Sequence, residues 1–158
     1  MVIQRVNVLG VGISVLNLQT ALAAMAEAVA QRRKGYICIT GVHGVMEAQD
    51  DPAFRRILNS AFLCTPDGMP MVWSGKLRGH RDMSRVYGPD LMLDVCAWSQ
   101  QSGCRHFFYG GLPGVPEGCI EGIEHRNAAM TAIQQHTGVL SGGGWIDHAC
   151  DFETFRSP

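Results

Sequence analysis

One segment constrains the fold of this chain more than any other: the apolar run Ala61-Phe62-Leu63-Cys64 leads into Thr65-Pro66-Asp67-Gly68-Met69-Pro70-Met71-Val72-Trp73. The apolar run reads as a short buried strand. Proline cannot donate to a ladder, so the strand is expected to stop at Thr65-Pro66. Asp67 then lies on the loop just past a strand tip, and Gly68 lets backbone or ligand approach closely. In open α/β sheets, ligands bind at that edge. A helix over Met69 to Leu77 is expected next, weakened by Gly75.

The rest of the chain can be ordered around this strand–turn–helix unit. Arg5 to Val11 is apolar, β-prone and ends at glycines, so it reads as a first strand. Asn17 can cap a helix in which Leu18, Leu22, Met25 and Val29 recur at helical spacing, with Arg32, Arg33 and Lys34 near its negative end and Gly35 as terminator. Tyr36 to Thr40 is a second strand, followed by a short helix over Val42 to Gln49. Asp51-Pro52 opens another helix, with Phe54, Ile57, Leu58 and Ala61 on one face. Pro89 opens a helix bearing Leu91, Val95 and Trp98, which Gly103 ends. His106 to Tyr109 is a fourth strand, and Pro116 starts a helix towards Gln135. Strands alternating with helices predict a single α/β domain: a Rossmann-like, mostly parallel sheet flanked by helices.

Composition narrows the function. A chain of 158 residues makes one compact domain, and 46% hydrophobic residues can fill its core. The formal net charge of −1 gives no basis for nucleic-acid binding. Six cysteines are scattered without a C-x-x-C pair, which fits reduced thiols in a cytosolic protein rather than a disulfide framework. Cys104, His106, Cys119 and His125 match no usual zinc spacing. The uncharged stretch after Arg5 is interrupted by Asn7, Ser14, Asn17, Gln19 and Thr20, and reads as mature sequence rather than a leader or a membrane span.

Two further dense segments follow Asp67: Arg85-Val86-Tyr87-Gly88-Pro89-Asp90-Leu91 and Tyr109-Gly110-Gly111-Leu112-Pro113-Gly114-Val115. With P-D-G-M-P-x-V-W and Val6 to Val11, they resemble the WecG/TagA/CpsF family of bacterial glycosyltransferases, from about Val6 to about Glu117. The resemblance implies transfer of an N-acetylmannosamine-type sugar from a UDP donor. The implied acceptor is a polyprenyl-diphosphate-linked sugar at the inner face of the cytoplasmic membrane, in cell-surface polysaccharide synthesis. Peripheral membrane contact and self-association are compatible with that role, and no cofactor is implied.

By residue type alone Pro-Asp-Gly is a common turn sequence. The resemblance places the family's proposed catalytic aspartate at Asp67, where a carboxylate could take the proton of the attacking hydroxyl. It likewise matches Arg85 to a pocket arginine, whose fork suits phosphate; the alternative is a surface arginine paired with Asp82 or Asp90. Thr40 matches a substrate-contacting threonine, or is simply a β-branched strand residue. His43 stands near where relatives often carry an asparagine. Backbone amides around Gly110, Gly111 and Gly114 could cradle a diphosphate. No D-x-D is present, so a metal-independent mechanism is expected, with Arg85 and loop amides in place of a cation; inversion is expected from the resemblance.

The pattern weakens after Glu117. Gly118 and Gly122 fall in an expected helix, and Ser141-Gly142-Gly143-Gly144 stands where a strand is expected. This divides the chain into a family-like part, 1–117, and a divergent tail, 118–158, expected to pack poorly, as a truncated or frame-shifted reading would. Two other readings stay open: a non-catalytic remnant that keeps a half-site, and a dinucleotide-binding oxidoreductase. Gly10-Val11-Gly12 lacks the third glycine that the latter needs, and strand two has no acidic residue at its end.

Overall fold

The computed structural model describes residues 2–104, 106, 118 and 149–151. Its elements run β1 (Arg5–Val8), β2 (Val11–Ser14), α1 (Leu18–Ala30), β3 (Tyr36–Thr40), α2 (Val42–Asp50), α3 (Pro52–Ser60), β4 (Leu63–Pro66), α4 (Met69–Leu77), α5 (Gly88–Ser102) and β5 (Ala149–Asp151). The chain is α/β. The expected fourth strand, beyond His106, and the helix from Pro116 lie outside the described residues, apart from Gly118, which is helical.

Two compact units are formed: Met1–Leu91 with His148–Phe152, and Met92–Asp147 with Glu153–Pro158. In the second unit, α5 buries Val95, Cys96 and Ser99. Ser99 Oγ donates to Cys96 O at 2.7 Å and meets His106 Nε2 at 2.6 Å. Burial lowers the His106 pKa, because the imidazolium loses its hydration there.

The first unit holds two small sheets. One is the antiparallel hairpin β1–β2; the other has the order β4-β3-β5, with β3–β4 parallel and β3–β5 antiparallel. The hairpin corrects the single strand expected over Arg5 to Val11. Leu9 and Gly10 both take positive φ (51° and 86°), the requirement of a type I′ turn, and Asn7 Oδ1 accepts from Gly10 N at 2.9 Å. A glycine-led phosphate turn opening a helix is therefore absent here, which removes the basis of the oxidoreductase reading. Asn59 clamps the tip: its Oδ1 accepts from Gly12 N at 2.8 Å and its Nδ2 donates to Gly10 O at 2.9 Å.

Ala149–Asp151 pairs with Tyr36–Cys38, so part of the tail supplies a strand where none was expected. Strand β4 ends at Pro66, as the sequence leads one to expect, with Pro66 opposite Thr40. The ladder donor at this level is Asp67 N, bonded to Thr40 O at 3.0 Å, so proline's missing N–H costs no bond.

The caps are those the residues favour. Asn17 and Thr20 form a reciprocal capping box, and Asp51 accepts from Ala53 N and Phe54 N ahead of Pro52. Helix α1 ends before Gly35, with Arg32 taking the left-handed turn (φ 53°). The core joins Val11 and Ile13 of β2 to Val45 and Ala48 of α2, Leu58 of α3, Cys64, Met71 and Met83. Gly75 is part of that packing, since any Cβ there would overlap Met83 Sδ.

Candidate active site

The parallel pair β3–β4 sets the geometry. Both strands end at one edge, β3 at Thr40 and β4 at Pro66, and each is followed at once by a helix. Helix α2 is capped by Gly41 and α4 by Gly68, neither with a side-chain bond to the first turn. Two uncapped N-termini, each with its partial positive charge, thus follow adjacent strands. Gly41 fits because nothing larger would: a Cβ there would lie 2.9 Å from Asp67 O. Gly68 takes φ 156° and ψ 145°, a region open essentially only to glycine.

Asp67 sits between these two glycines in space. Arg85 reaches it from the segment between α4 and α5. That segment is anchored by Val86 N on Pro66 O (2.9 Å) and Ser84 N on Leu16 O (3.2 Å), with Met83 and Val86 fully buried. Alternation along it turns Arg85 away from Val86 and onto the carboxylate. Arg85 Nε donates to Asp67 Oδ1 at 3.1 Å, and Nη2 lies 3.0 Å from the same oxygen. The pairing with Asp82 or Asp90 weighed from sequence is not formed. Oδ2 of Asp67 and the Nη1 end of the guanidinium have no partner among the described residues. Arg85 is also backed by Tyr87, whose ring centroid lies 4.5 Å from Cζ. Tyr87 was not singled out from sequence, although two-residue spacing from Arg85 in an extended segment puts both on one side.

The other named residues are placed less uniformly. Thr40 joins the edge through its backbone, but its side chain is 2% exposed and its Oγ1 lies 3.1 Å from Cys64 Sγ. Its hydroxyl therefore turns onto a thiol rather than facing the edge beside Asp67. Burial raises the Cys64 pKa, and the Thr40 contact and Arg5 only partly oppose it. His43, in the first turn of α2, is exposed and lies 4.0 Å from Glu47. Gly110, Gly111 and Gly114 lie outside the described residues. The arrangement thus brings a carboxylate with a spare oxygen, a guanidinium with spare donors and two helix N-termini to one sheet edge. Such an edge attracts an anion while keeping a proton acceptor beside it.

Residues 6–145 match the glycosyl transferase WecG/TagA/CpsF family. A curated relative from Bacillus spizizenii, an N-acetylglucosaminyldiphosphoundecaprenol N-acetyl-beta-D-mannosaminyltransferase, is 32% identical over 94 residues. Those residues make up 59% of this chain and 37% of the relative's length.

Proposed function

The chain belongs to the WecG/TagA/CpsF family of glycosyl transferases, and from that premise we propose that it moves an N-acetylmannosamine-type sugar from UDP to a polyprenyl-diphosphate-linked sugar. The observation that carries this reading is the Asp67–Arg85 pair beside two uncapped helix N-termini. The relative's name supplies the sugar and the lipid-linked acceptor.

In this reading the acceptor hydroxyl attacks the anomeric carbon from the face opposite UDP. The bond between that carbon and the diphosphate oxygen breaks, its electron pair leaves with UDP, and the configuration inverts. Asp67 Oδ2 takes the hydroxyl proton, while Oδ1 stays fixed on Arg85. The free end of the guanidinium and the amides opening α2 and α4 offset the charge that grows on the diphosphate. With no D-x-D in the sequence, these groups stand where other nucleotide-sugar enzymes use a cation.

The test is direct. Purified chain is incubated with UDP-N-acetylmannosamine and a short polyprenyl-diphosphate N-acetylglucosamine, with chelator or with manganese. A product heavier by one N-acetylhexosamine in both conditions is expected. Product only with manganese would overturn metal independence. UDP-sugar binding without turnover would favour the remnant reading.

A further inference from the structure

Helix α4 carries an exposed face that the proposed chemistry does not use. Met69, Trp73 and Leu77 recur every fourth residue and share one side of the helix, exposed by 44%, 56% and 88%. The buried side is Met71, Val72 and Gly75. A surface helix normally presents polar residues outward; α4 is apolar on both sides. Its far end is basic. From Gly68 to Arg81 the chain has Lys76, Arg78 and Arg81 and no acidic residue; Asp82 follows. None of these three cations is ion-paired among the described residues, and Arg78 is held along the helix by Ser74 O at 3.4 Å.

We propose that this face of α4 docks on an anionic lipid bilayer. An apolar stripe centred on a tryptophan and flanked by cations is the pattern that lies in the headgroup region rather than across it. No helix among the described residues is long and apolar enough to cross a membrane. Charge favours anionic headgroups over a second copy as the occupant, because an identical face offers no acidic residue between Gly68 and Arg81 to meet these cations. The placement also has a consequence for the site. Trp73 lies four residues into α4 from Met69, roughly 6 Å along the helix axis, and Asp67 stands two residues before Met69. A bilayer under α4 therefore brings headgroup-level diphosphate close to the Asp67 carboxylate. That last step rests on the proposed sugar transfer; the docking itself does not.

Sedimentation of the full chain with vesicles tests it, using phosphatidylcholine alone or with part replaced by phosphatidylglycerol. The chain is expected to bind the anionic vesicles and to be released by salt. Lys76→Gln/Arg78→Gln/Arg81→Gln should weaken binding about fivefold per charge, on the order of a hundredfold in all. Trp73→Ser/Leu77→Ser should weaken it at least about tenfold. Arg56→Gln, an exposed change on α3, should leave it unaltered. All these side chains are exposed, and circular dichroism checks that each variant folds. Failure of the parent chain to bind anionic vesicles, or binding that survives both multiple variants, overturns the proposal. So does a Trp73→Ser/Leu77→Ser variant that turns a dimer into a monomer while still binding vesicles. A water-soluble acceptor separates the two readings. Vesicle binding without any transfer defeats the proposed function alone; transfer without α4-dependent vesicle binding defeats the docking alone.

Discussion

Arg5 and Arg85 stand at opposite ends of β4 and are used in opposite ways. Arg5, from β1, donates to the carbonyls of Asn59 (2.8 Å), Ala61 and Phe62 (3.4 Å), just before β4 begins. It is a cation at the C-terminal end of α3, where the helix dipole favours it. Its donors go to the carbonyls that end α3 and lead into β4. Arg85, just past the other end, spends two nitrogens on a single carboxylate oxygen and is half exposed. One arginine closes a connection of the fold; the other keeps donors in reserve. Spare hydrogen-bonding capacity, rather than charge or position on a loop, separates the chemical end of β4 from the structural end.

The sharpest test of that distinction is Asp67→Asn. It keeps the shape and removes the proton acceptor. Transfer should fall by about 10²–10⁴-fold, with UDP-sugar binding and the unfolding midpoint nearly unchanged. The stability term is small because an exposed ion pair contributes only about 0.2–1 kcal/mol. Near-normal turnover would make Asp67 a turn residue, and the two ends of β4 would then be alike.

Arg85→Ala comes next. Turnover should drop about 10²–10³-fold, the usual loss when one donor to a developing negative charge is removed. Urea unfolding should barely move. Arg5→Ala should do the reverse and cost roughly 2 kcal/mol of stability, since charged hydrogen bonds to carbonyls are lost together. Its turnover, measured where the variant is fully folded, should match the parent. If the two variants instead produced the same mixture of lost stability and lost turnover, reserve capacity would not be what distinguishes the arginines.

Much of this architecture could be read from residues. Asn17 and Asp51-Pro52 announce their helices because capping is a local matter of one side chain and two amides. The helix after Gly68 is equally local. The hairpin was hidden because Leu9, which carries no turn signature, takes a left-handed conformation beside Gly10 and is exposed there. Thr40 shows a different limit. Period-two alternation assigns its face, yet only the register, which sets Pro66 opposite Thr40 and Cys64 two residues before it on the same face, brings the thiol to the hydroxyl. Asp67 and Arg85 were each visible as motif residues, but their direct bond depends on Val86 N reaching Pro66 O, which no spacing encodes. The glycines of the Tyr109–Val115 segment, also expected at the site, lie outside the described residues.

The finest test concerns Tyr87. Its ring lies 4.5 Å from the Arg85 guanidinium carbon and is 41% exposed. At an exposed site a cation–π contact contributes about 0.5–1 kcal/mol. Tyr87→Leu leaves both Arg85 contacts with Asp67 in place, so it should lower kcat/KM only about two- to fivefold, with no change in unfolding. Tyr87→Phe keeps the ring and should be silent. The decisive measurement is the double-mutant cycle. If Tyr87 acts by steadying Arg85, its loss should have no further effect in Arg85→Ala. An equal loss in both backgrounds would mean that the ring contacts a ligand itself. The reserve at this end of β4 would then belong to an aromatic surface as much as to the arginine.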